Sequence, residues 1–267
     1  MDPATLQNVA PIDYEEIRFV AASISADISE NFSIVSDSLN FDANEESFII
    51  RDFQIKPKFS QQAWASVHEV QKQWFALTLG SVSLRNINIE HFINTGEIMV
   101  GRIRIRKPNV ALYKDKSKPE PPFKKKLLPA SAISSIPMKL HVDSIQIMDG
   151  YIAIQETSKL TGLDSHISFH SLNGLMTNFT NLPAAERQSA IMELNASTLM
   201  YQQAPISLNM KFDLDSPIDE FTANGKVGGV DMTAFNSVLE PMMAVKVLDG
   251  KLDNMAFEFK AMDTLSN

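Results

Sequence analysis

Cysteine is absent from the 267 residues. Disulfides, thiolate metal sites and a cysteine nucleophile are therefore excluded. The absence is compatible with several compartments, a bacterial periplasm among them. Positive charge is in deficit: 24 basic residues stand against 32 acidic ones, for a formal charge of −8. A nucleic-acid binder needs a basic footprint, so no nucleic-acid partner is expected. No stretch approaches the roughly 18 apolar residues of a membrane-spanning helix. The start, Met1-Asp2-Pro3, lacks the basic and apolar regions of a signal peptide. The motifs HExxH, GxSxG, GxGxxG and the Walker loop do not occur. No catalytic residue, metal ligand or cofactor is expected.

What the chain has instead is alternation with period two. "KLHVDSIQIMDGYIAIQE" (139–156) places Leu140, Val142, Ile145, Ile147, Ile152 and Ile154 at alternating positions around Asp149-Gly150. The Asp-Gly pair predicts a hairpin with a type I′ turn. Val142 and Ile145 differ in phase, so a bulge near Asp143-Ser144 is needed to keep one apolar face. Residues 24–35, 47–57, 74–93, 97–115, 162–181, 189–201, 204–215, 221–231 and 250–261 also read as strands. On 97–115, Arg102, Arg104 and Arg106 point to one side and Ile103 and Ile105 to the other, and Pro108 interrupts the ladder. Helical spacing occurs twice: near 60–72, where Ser60 can cap the start, and near 231–243, with Asp231 as cap and Pro241 close to the end.

The expected fold is mainly β: a long, curved antiparallel sheet, groove-like, with two short helices. Residues 1–113 form an N-terminal lobe, 114–137 a Lys/Pro-rich linker, and 138–267 a C-terminal β lobe continuous with the first sheet. The chain stops just after a strand pattern, at "FEFKAMDTLSN", and is expected to belong to a longer protein.

His166 and His170 are four apart, but Ile167 and Phe169 alternate between them. On a strand they sit roughly 13 Å apart, too far to share one ion. Scattered carboxylates such as Asp143, Asp149, Asp213 and Asp215 read as turn formers and solvated faces. Lys124, Lys125 and Lys126, beside Phe123 and Leu127, are candidates for contact with anionic lipid headgroups or form a solvated loop. Of 13 methionines, 11 follow residue 137. Met192 and Met210 lie on apolar strand faces with Leu194, Leu208 and Phe212, as adaptable core or as a surface for variable oily partners.

Three stretches together resemble AsmA-like envelope proteins of Gram-negative bacteria. They are "IPMKLHVDSIQIMDGYIAIQE", "GRIRIRKPNVALYKDKSKPEPP" and "FTANGKVGGVDMTAFNSVLEPMMAVKVLDGKLDNMAFEFKA", and the likeness covers roughly residues 40–262. The resemblance implies a periplasmic β-rich body, anchored in the inner membrane by a helix this chain lacks. It also implies kinship with bridge-like lipid-transfer proteins, whose troughs hold phospholipid acyl chains, and a role in lipid transport or outer-membrane assembly. It implies no catalytic residues. The lipid-groove candidates are then Leu140, Val142, Ile145, Ile147, Ile152, Ile154, Met192, Leu194, Leu208, Met210 and Phe212. The alternative is an envelope interaction protein that works through sheet edges without lipid cargo.

Overall fold

The computed structural model describes residues 16–124 and 126–263. Its strands are β1 Arg18–Asp27, β2 Phe32–Asp42, β3 Ser47–Pro57, β4 Trp74–Ile87, β5 Ile98–Arg106, β6 Asn109–Asp115, β7 Leu140–Thr157, β8 Asp164–Thr180, β9 Ile191–Met200, β10 Ala204–Asp213, β11 Phe221–Val227, β12 Val230–Asp231, β13 Lys251–Leu252 and β14 Met255–Ala261. The helices are α1 Gln61–Val67, α2 Ile89–Thr95, α3 Pro129–Ser134 and α4 Asn236–Met243. Twelve strands build one long curved sheet in the order β1-β2-β3-β4-β5-β7-β8-β9-β10-β11-β14, with β6 between β4 and β7; β12 and β13 pair separately. Most neighbours are antiparallel, as alternation and short turns dictate, but β7 runs parallel to β5 and to β6. The sheet is therefore mixed, and it crosses from the N-terminal to the C-terminal half at this parallel seam.

The expected hairpin at 139–156 does not exist. β7 is one strand of 18 residues. Asp149 does adopt positive φ, 54°, but the result is a bulge, with register shifts against β8 on both sides of Gly150. The reason lies in the neighbour. β5 and β6 are two halves of one line, broken at Lys107-Pro108, and both halves pair with β7. Backbone hydrogen bonds span the break: the Lys107 N–H donates to Met148 O at 2.8 Å, and the Tyr151 N–H donates to Pro108 O at 2.7 Å. Gly150 is small because it must be close to its neighbours. A Cβ there would meet Pro108 Cγ at 3.0 Å and Leu172 Cβ at 3.1 Å.

This bulge belongs to a crease that crosses the sheet. Ser23 in β1, Asp52 in β3, Lys107, Asp149 in β7 and Ser171 in β8 have φ between 49° and 54°. The register aligns them: Asp52 lies opposite Gly80 of β4, Lys107-Pro108 opposite Asp149-Gly150, and Ser171 beside Leu172, the partner of Gly150. Each inserted residue shifts the period of its strand by one. Ile147 and Ile152, five apart, thus stay on one face, as do Ile105 and Val110. A second phase shift passes through Asn86, Gly101, Asp143 and Asn178, which occupy one row. It falls where the phase of Val142 and Ile145 requires it. Both strands of each pair shift together, so the register there is unbroken.

Helix starts follow the sequence closely. The Ser60 hydroxyl caps α1 by accepting from the Ala63 N–H. Asp231 caps a 3-10 turn over Met232–Phe235 that leads into α4, and Pro241 lies inside that helix. Two more helices stand where a strand end and a linker were expected. α2 takes over at Ile89, capped by Asn88 and ended by Gly96 with φ 75°. α3 begins at Pro129 inside the 114–137 segment. Residues 24–35, expected as one strand, form the end of β1, a turn and the start of β2.

Candidate functional site

The register assembles the apolar positions of the strands into rows that run across the sheet. One row contains Phe41, Phe48, Leu84, Ile103, Ile145, Met176, Leu194 and Met210. The next contains Leu39, Ile50, Val82, Ile105, Ile147, Gly174, Ala196 and Leu208. Both continue to the sheet edges, onto Phe19 and Ala21 of β1 and onto Phe259 and Phe257 of β14. Neighbouring strands lie about 4.8 Å apart, so eleven strands give an apolar band roughly 48 Å long.

Helices cover the margins of this face. At one end of the strands, Ile133 of α3 packs on Met192 and Phe212, with Met176, Phe179, Leu194 and Met210 around them. At the other end Trp64 of α1 lies 5.6 Å from the Phe32 ring, while Ala234 and Phe235, ahead of α4, pack with Met200, Ile206 and Val227. Ile103, Ile105, Ile145, Ile147 and Leu208, between those margins, are half-buried. The arrangement is a floor of hydrocarbon with helical walls.

All eleven sequence-predicted groove residues lie on this face. Val142, Met192 and Phe212 are buried; Leu140, Ile145, Ile147, Ile152, Ile154, Leu194, Leu208 and Met210 are half-buried. Met192, 1% exposed, is the most deeply packed of them. Ile103, Ile105, Val82 and Ile50 belong to the same floor and were not singled out from the sequence. Their alternation was visible, but only the register shows that they continue the rows of β7.

The lysine run is set apart from the floor. Lys124 and Lys126 are exposed, and Lys125 lies outside the described residues. Lys124 and Lys126 border a cleft of about 1250 Å³ beside α1, with Val67, Lys72, Lys114 and Phe123. Hydrogen bonds fix the preceding segment there: the Gln71 N–H donates to Pro119 O at 2.9 Å, and Lys118 Nζ donates to His68 O at 2.6 Å and to Ala65 O. Burial, then the Lys72 and Lys118 charges, hold the His68 imidazole below its usual 6.5.

The opposite face is polar. Two of its rows wall a second cleft, of about 1040 Å³, lined by Gln146, Asn195, Asn209, Asn224, Ser197 and Ser207 among others. Asn209 Nδ2 donates to Asn195 Oδ1 at 2.8 Å, and Asn224 Nδ2 donates to Asn209 Oδ1 at 3.3 Å. His166 is exposed and His170 half-buried. The His170 ring lies tilted against that of Tyr151, 4.7 Å between centroids.

No known protein family has a model that matches this chain, and no curated protein matches it.

Proposed function

We propose that this chain is a non-catalytic module that binds phospholipid acyl chains along its apolar face. In this reading it is akin to AsmA-like envelope proteins, works in the periplasm, and is held at the inner membrane by other parts of a longer protein. One observation supports the reading above all. The central apolar rows cross eleven strands while helices pack at their margins, leaving the floor half-buried. Hydrocarbon left without a protein cover favours an apolar partner. Each CH₂ removed from water is worth about 0.8 kcal/mol, so a chain of about 16 carbons gains on the order of 10 kcal/mol before ordering costs. No fixed headgroup contact is then required.

The test is organic extraction of the purified chain followed by mass spectrometry. Phospholipid is expected in the extract. The double variant Ile105→Asp, Leu208→Asp should lose most of it and keep a strand-dominated circular dichroism spectrum. Both positions lie on the half-buried floor, where a carboxylate can reach water. An extract free of lipid from the parent chain contradicts the proposal.

A second reading has its own support. β1 and β14 are the edges of the sheet, and Phe19, Val20, Met255 and Phe259 on them are exposed. Free edges pair with added strands. A lipid-free chain that assembles through β1 or β14 would favour an interaction protein.

A further inference from the structure

Five of the seven arginines meet on the polar face. Arg85 stands directly across from Arg102, Arg104 and Arg106 follow on β5, and Arg51 shares a row with Arg106 through Ser81. Among the described residues, the arginine ion pairs are those of Arg18 and Arg187, so none of the five has one. Arg104 Nε is shielded from solvent without a hydrogen-bond partner. Like charges opposite each other on a sheet are destabilising. Acidic residues outnumber basic ones in this chain, and serines at 81, 83 and 144 separate the arginines instead. Packing gives no reason for the cluster.

The arginine rows lead directly into the polar cleft. Arg104 is in register with Gln146, and Arg106 with Met148. From there one wall continues through Asn195, Asn209 and Asn224, the other through Ser197 and Ser207. The cleft spans β7 to β14, six strands or roughly 24 Å. Amides and hydroxyls, which both donate and accept, line these walls beside Met148, Leu175, Lys226 and Glu258.

We infer that this groove binds an acidic glycan, with its carboxylate or phosphate groups on the arginines and its sugar hydroxyls along the amide walls. Guanidinium forks pair with carboxylate and phosphate in bidentate fashion. A small inorganic anion has no use for a long amide-lined groove. The inference stands apart from lipid binding, which uses the other face.

Isothermal titration of the 267-residue chain tests it, with oligogalacturonate, a phosphorylated mannan oligosaccharide and a neutral cello-oligosaccharide as probes. At least one acidic glycan should bind, weaken as salt rises, and exceed the neutral one at least tenfold. Arg104→Gln with Arg106→Gln should lower that affinity at least tenfold, with lipid content unchanged and the melting temperature no lower than the parent's. Arg106→Gln alone, at an exposed position, serves if the double variant misfolds, and should still cost severalfold. The inference is overturned if neither acidic glycan binds, if the neutral glycan binds as well, if Arg106→Gln binds like the parent, or if tripolyphosphate matches the acidic glycan.

Discussion

Asp149 illustrates how one residue sets a face. Its φ of 54° is a conformation that costs most L-residues about 1–2 kcal/mol, and Asp and Asn less. The inserted residue restores Ile152 and Ile154 to the side of Ile145 and Ile147. Glycine meets the same backbone demand without a Cβ, whereas a β-branched side chain resists it most. Asp149→Gly is therefore expected to leave stability within a few tenths of a kcal/mol, and Asp149→Val to lower it by about 1–2 kcal/mol. Chemical denaturation measures both. Equal midpoints for the two variants would mean that the bulge does not depend on this φ. The same residue shows the limit of a local signal. Asp-Gly suits a tight turn and a bulge equally, because both need a residue at ease with positive φ. Only the partner decides, and here the partner is a collinear pair of strands 42 residues earlier in register.

At the scale of elements, strands were legible and their joins were not. β8 to β11 appear in the sequence almost as they stand, because one face is apolar and the other is wet. Ser60 and Asp231 were legible as caps because a short side-chain oxygen ahead of helical spacing is a local signature. α2 was hidden: Ile87, Ile89 and Ile93 also fit alternation. α3 was hidden by the lysines and prolines before it, although Ile133 anchors it to the core. The parallel pairing of β7 leaves no trace in the pattern of one strand. α2 is tied to β7 by charge. Glu97 accepts from Lys139 Nζ at 2.9 Å and lies 3.0 Å from His91 Nε2. The hydrogen bond from Lys139, then that from His91, hold the Glu97 carboxyl below its usual 4.5. A lowered carboxyl binds its proton less readily in the folded state. Its contribution is complete above pH 4.5 and fades as pH falls through the lowered value. Glu97→Gln should flatten that acid limb of thermal stability and lower stability at pH 7, where the pairing contributes in full. An acid limb identical to the parent's would exclude Glu97 as its source.

At the scale of the whole molecule, the two creases have one consequence. They let strands of up to 18 residues bend while the apolar rows stay on one side. The result is a sheet with two distinct surfaces: hydrocarbon walled by α1, α3 and α4, and a polar face with arginines on β3 to β5 and amides on β7 to β11. The predicted groove residues were legible because each strand declares its own apolar set. That the sets of eleven strands align into one band was not, since register depends on pairing across the chain. Site-specific crosslinking measures the central claim most directly. A photoreactive benzoylphenylalanine replaces Ile147 on the floor or Ser83 on the polar face, and the chain is irradiated with phospholipid vesicles and weighed intact. Apolar-face binding predicts a phospholipid-sized mass increase at position 147 and none at 83. Equal labelling at both positions, or labelling at 83 alone, would contradict it.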